Sequence, residues 1–147
     1  MDDYKVLFEK MHTSLSQMSQ ETEKYSLAFK REDFFTFSDV QKRSKLYKEE
    51  YRNFICKINE LYTTFELCTV KISSLLLETD READEKKFAL LSSVFTKCLV
   101  LEKELYIFTE KTQQELAKPS ASVSVICDCA SRFFLLLKTF CDFLTQV

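Results

Sequence analysis

Residues 40–76 read VQKRSKLYKEEYRNFICKINELYTTFELCTVKISSLL, and the spacing within this stretch decides the fold. Val40, Ser44, Tyr47, Tyr51, Phe54, Ile58, Leu61, Phe65, Cys68, Ile72 and Leu75 follow one another at steps of four and three for five heptads. That step returns a side chain to the same face of an α-helix and does not match the two-residue alternation of a strand. Ile55, Tyr62 and Leu76 add a second apolar stripe beside the first. A helix with two adjoining stripes meets two neighbours, as in a bundle rather than a two-stranded coil.

On the N-terminal side, Tyr4, Phe8, Met11, Leu15, Met18, Thr22, Tyr25 and Phe29 keep the same step for about four heptads, with Thr22 the one polar member. Between the two seams, Phe34, Phe35 and Phe37 crowd together without helical spacing, so a connection is expected near 30–38. The Phe cluster is expected to plug one end of the fold. Ser38 followed by Gln41 fits a capping box at the start of the second helix.

On the C-terminal side, Thr79 with Glu82 is a second capping-box candidate, and Asp80, Asp84 and Glu85 add the negative charge that a helix start favours. A third seam runs through Phe88, Leu91, Phe95, Cys98, Leu101, Leu105, Phe108, Thr112 and Leu116 until Pro119 stops it. Ser120 or Ser122 can cap a fourth helix with the stripe Ile126, Ala130, Phe133, Leu137, Phe140 and Leu144. Val123, Phe134, Leu136, Cys141 and Phe143 make other faces of that helix apolar too, so it is expected to be buried on most sides or covered by a partner.

These readings predict an all-α fold: a single domain over 1–147, an antiparallel four-helix bundle with helices at about 3–30, 38–78, 80–118 and 121–146. The two central helices are the longer pair and form a hairpin. With short connections, helices one and four cover the same end of that hairpin, leaving its tip around 66–92 to project by roughly 20 Å at about 1.5 Å per residue. A bare apolar tip calls for a covering chain, so Cys68, Ile72, Leu75, Leu76, Phe88, Leu91 and Val94 are the expected partner interface, with Phe134 and Phe143 on helix four. The alternative is a break near Thr79 that lets everything pack within one chain.

Composition narrows the chemistry. Among 147 residues there is no glycine, where ordinary usage would give about ten. Phosphate-cradling loops, dinucleotide fingerprints and the G-x-S-x-G elbow all need glycine and are excluded. The one histidine, His12, has no second histidine with which to share a metal or relay a proton. No Glu-x-x-His occurs, which excludes the di-iron bundle pattern. Glu49, Glu50, Glu102, Glu104 and Glu110 read as the wet faces of helices rather than as acids and bases. Cys127 and Cys129 lie two residues apart on a helix, point away from each other and cannot chelate one metal.

Compartment and partner class follow from charge and cysteine. The net charge is −2, spread along the chain, with no segment basic enough for nucleic acid. No apolar run approaches a membrane span, and the N-terminus does not read as a secretory signal. The six cysteines fall in helical stretches and read as reduced, small hydrophobes rather than a disulfide framework. The expected location is therefore cytoplasm or nucleus, not outside the cell.

The resulting expectation is a non-enzymatic intracellular interaction module, without cofactor or small-molecule substrate. It would be a scaffold or adaptor subunit, or a homodimer, binding protein through helix–helix contacts. The alternative is a peripheral membrane-surface dimer that binds acidic lipid through a basic helix face. Lys42, Lys45, Lys48 and Arg52 at the start of helix two are the candidate anion-binding residues for that face. A disulfide-bridged secreted signal and a carrier with a pocket among the Phe residues are the remaining, less supported readings.

Overall fold

The computed structural model describes residues 3–29 and 40–147. Four helices follow in order, α1 (Asp3–Ala28), α2 (Val40–Glu78), α3 (Glu85–Leu116) and α4 (Val123–Gln146). Helix accounts for 89 % of the described residues, with no strand among them, so the chain is an all-α four-helix bundle. Ser38, the cap of the expected Ser38–Gln41 box, and the cluster of Phe34, Phe35 and Phe37 lie outside the described residues.

Each helix packs beside its neighbours in sequence, and α4 closes the ring against α1. The run of α1 against α4 is antiparallel, because the Cys127 thiol meets the Ser26 carbonyl and the Cys141 thiol meets that of His12, each at 3.9 Å. The predicted seams are the core: Met11, Leu15, Met18, Ile58, Phe65, Ile72, Leu91, Ile126 and Leu137 are all fully buried. A ladder of rings crosses all four helices. Tyr25 meets Phe54 at 4.4 Å, Phe54 meets Phe108 at 5.7 Å, and Phe108 stacks on Phe133 at 5.1 Å. Such pairs add about 0.5–1.5 kcal/mol each beyond the area they bury.

α1 packs most closely of the four, and its residue sizes explain why. Ser14, Ser19, Thr22 and Ala28 are buried beside its large side chains and let neighbouring backbones approach. Ser19 and Thr22 satisfy their hydroxyls within the helix, donating to the carbonyls of Leu15 at 2.9 Å and Met18 at 2.7 Å.

Three features differ from the reading of the sequence. First, the third helix begins at Glu85 rather than near 80, and the Thr79–Glu82 box does not form. The Thr79 hydroxyl instead donates back to the Leu75 carbonyl at 2.6 Å and is used up closing α2. Asp80 accepts from the Glu82 and Ala83 amides, and Asp84 is the true N-cap, accepting from the Lys87 amide at 3.2 Å. Second, α3 is 32 residues long rather than about 40, while α2 has 39. Third, the hairpin tip is not bare. Phe29 packs on Tyr47, well inside α2, at 5.3 Å. α1 is therefore displaced towards the tip, and Leu7 shares a cleft with Lys71, Leu75 and Glu78 at the far end of α2. The length of chain between Phe29 and Val40 permits this slide, which a short connection would forbid.

The corner between α3 and α4 is held without glycine. No described residue has positive φ. α3 ends at Ala117 in ordinary right-handed geometry, φ −74 and ψ −17, rather than in the left-handed cap that glycine usually supplies. Glu115, buried near the last turn, holds the corner instead. Its carboxylate accepts from the Ser122 amide and from the Lys118 ammonium, both at 2.8 Å. Ser122 then caps α4, accepting from the Val125 amide at 3.4 Å.

Candidate interaction surface

The hairpin of α2 and α3 presents a face that carries almost no charge towards its tip. Between Leu67 and Leu77 the only charged residue is Lys71, and between Phe88 and Leu101 the only one is Lys97. Both are turned away from the space between the two helices. Lys71 shares its cleft with Leu7 of α1, and the Lys97 ammonium sits 4.5 Å from the Phe143 ring of α4.

The row of α2 turned towards α3 is marked by Tyr62 and Thr69. Tyr62 lies near Glu102 and Cys98, and burial, with those neighbours, pushes its phenol up to about 12. Thr69 lies beside the Cys98 thiol, its own hydroxyl donating to the Phe65 carbonyl at 3.2 Å. Beside that row, at spacings of four, three and four, lie Glu66, Val70, Ser73 and Leu77. Ser73 is half-buried and interrupts the row with a small, uncharged side chain. On α3 the matching outward row holds Ser92, Leu99, the exposed Lys103 and Tyr106, beside the half-buried Phe88 and Phe95. Val70 is 60 % exposed, Leu77 87 %, Leu99 48 % and Tyr106 69 %, with Leu67 at 61 % on the same outer side of α2. These residues form a strip, in contrast to the scattered single hydrophobics of an ordinary surface. Arg81 borders its end, 5.5 Å from the Phe88 ring.

The residues expected to form the interface divide into two groups. Cys68, Ile72, Leu91 and Val94 are buried within the chain itself and offer no surface. Leu75, Leu76, Phe88, Phe134 and Phe143 are half-buried against the core, and Phe143 lies beneath Lys97. The exposed strip consists instead of Val70, Leu77 and Leu99, which lie off the seams. The signal that marks them is the single charge in each of 67–77 and 88–101, Lys71 and Lys97, since an ordinary outer helix face is studded with Lys and Glu.

At the opposite end of α2 the basic residues Lys42, Lys45, Lys48 and Arg52 are all exposed. Lys45, Lys48 and Arg52 line an open groove whose other wall is Pro119. The groove continues along α2 past Tyr51 and Ile55, against Gln113, Leu116 and Ala117 at the end of α3. Glu49 shares its rim. Among the described residues the ion pairs are Lys24–Glu21, Lys57–Glu60 and Lys118–Glu115, none of which involves the basic row.

The remaining chemistry-bearing groups are dispersed. Among the described residues no three or more His, Cys, Asp or Glu side chains are placed to hold a metal ion. The six thiols form no disulfide. Cys56 is exposed; Cys98 is buried, and that burial pushes its thiol up to about 11. His12 lines an open cleft between α1 and α4 with Phe8 and Leu144. Glu49, Glu102 and Glu110 are exposed, and Glu50 and Glu104 half-buried. The cleft between α3 and α4 beside Cys129 and Arg132 has a volume of about 30 Å³, too small for an organic ligand. No described helix is long and apolar enough to cross a membrane. Comparison with protein-family models, with curated proteins and with solved structures finds no match to this chain.

Proposed function

We propose that the protein is a non-enzymatic interaction module, a scaffold or adaptor subunit inside the cell that binds a protein partner along the α2/α3 face. The observation that carries this reading is the exposed strip of Val70, Leu77 and Leu99, from which Lys71 and Lys97 are turned aside, with Lys103 at its edge one turn beyond Leu99. Burying such a strip is worth about 25 cal/mol for each Å² of apolar surface removed from water, and none of these three side chains brings a charge to desolvate. The bundle beneath is a rigid support, since its own core is filled by the four seams.

The test is affinity capture from the native cell, with the bound proteins identified by mass spectrometry, using wild type, Val70→Asp/Leu99→Asp and, as a control, Leu135→Asp on α4. All three altered positions are exposed, so the stability stays within about 0.5 kcal/mol of wild type. The expected result is a set of partners retained by the control and lost by the double variant. Retention of the same partners by the double variant removes the α2/α3 face from the proposal.

A further inference from the structure

The basic groove and the apolar strip are two parts of one surface. Lys45, Lys48 and Arg52 stand on a row of α2 that continues, at steps of three and four, through Ile55, Asn59, Thr63 and Glu66 to Val70, Ser73 and Leu77. The second wall is Gln113, Leu116 and Ala117 at the basic end, and Leu99 and Phe95 of α3 at the apolar end. From Lys45 to Leu77 the row spans about 48 Å at about 1.5 Å per residue. Its two ends ask for different chemistry. Beyond Glu66 the row carries no charge, while the other end offers three cations that form no ion pair among the described residues.

From this polarity we infer that the partner is an amphipathic helix of about 30 residues, lying lengthwise in the α2/α3 groove, with an apolar stripe over Val70, Leu77 and Leu99 and carboxylates against Lys45, Lys48 and Arg52. The inference rests on the interaction reading above and adds the partner's chemistry and its direction along the bundle. A helix is favoured over a lipid surface by shape. Lys48 and Arg52 border a shallow cleft with Tyr51 and Leu116 in its lining, both buried, and a flat bilayer would leave that cleft unfilled. The charges at one end steer and orient the partner, and the apolar end holds it.

Two synthetic probes test this by fluorescence anisotropy. The first is a labelled helical peptide with a leucine stripe along one half and glutamates along the other; its twin replaces those glutamates with lysines. Wild type is expected to bind the glutamate peptide about tenfold more tightly than the twin at about 50 mM salt, and the preference should shrink at about 300 mM. The variant Lys45→Glu/Lys48→Glu/Arg52→Glu should reverse it. The milder Lys45→Gln/Lys48→Gln/Arg52→Gln should abolish it, with unchanged circular dichroism in both cases. Equal binding of the twins by wild type, no binding of either, or a preference that survives the charge reversal overturns the inference. So do vesicles of phosphatidylserine and phosphatidylcholine that sediment wild type but not the reversed variant while the two peptides bind alike; that result assigns the groove to lipid. Val70→Asp/Leu99→Asp separates the two levels. If it abolishes binding while charge reversal does nothing, the apolar face stands and the acidic half of the partner falls. If it leaves the affinity for the glutamate peptide unchanged, the face itself falls.

Discussion

Thr112 occupies a core position of α3, fully buried, and its hydroxyl has no hydrogen-bond partner among the described residues. A buried unpartnered hydroxyl is a net cost, since it gives up its bonds to water and receives nothing in return. Thr112→Val keeps the shape and removes the cost. It is expected to raise stability by about 1 kcal/mol, read as a higher midpoint in urea with an unchanged slope. Glu115 is the opposite case, a buried carboxylate with two good donors. The Lys118 ammonium and the Ser122 amide hold its carboxyl below the usual carboxylate range. A group lowered in this way stabilises the fold above its unfolded pKa, about 4.3, and loses that contribution as the pH falls through the folded value. Glu115→Gln is therefore expected to cost about 1 kcal/mol at neutral pH, a difference that narrows in acid. Denaturation curves at neutral and acidic pH check both the size and the sign. Thr112 is legible as a seam residue from its spacing. Glu115 is not, because hydropathy gives no reason to bury a carboxylate, and one of its donors lies seven residues further along, across a corner.

At the scale of the helix, the seams of α1, α2 and α4 can be read directly, because a four-three step in large apolar residues has one physical solution. The start of α3 cannot. Thr79, Asp80 and Asp84 are all capping types within six residues, and their competition is settled by geometry: Thr79 serves the end of α2, Asp80 the turn, and Asp84 the helix. Asp84→Ala is expected to cost about 1 kcal/mol and to speed amide exchange in the first turn of α3, whereas Thr79→Ala leaves that turn unaffected. Exchange measured residue by residue distinguishes the two. The interaction surface is half legible for a related reason. Spacing puts Ile72 and Leu91 on the inward seams, where they are buried, but it does not say which of the remaining faces is left uncovered, and Val70 and Leu99 lie on that face. The positions of Lys71 and Lys97 resolve the ambiguity, since each marks a direction that is not the exposed strip.

For the whole molecule, the ring of four helices depends on the contact between its first and last members. α1 packs as closely on α4 as on α2, although Cys141 and the His12 carbonyl it meets are 129 residues apart. Contacts of that separation are the costly ones to form and come late in folding. A chain ended at Lys118 keeps α1, α2 and α3 but exposes the sides of Met11, Leu15 and Met18 that α4 covers. It is expected to lose cooperative melting and to bind a hydrophobic dye, rather than to survive as a smaller bundle. During synthesis the same arrangement imposes a waiting period. The opening helix leaves the ribosome with one flank unclaimed, and that flank stays sticky until the last segment has been translated. In this protein the interval between the two is when a chaperone would matter most.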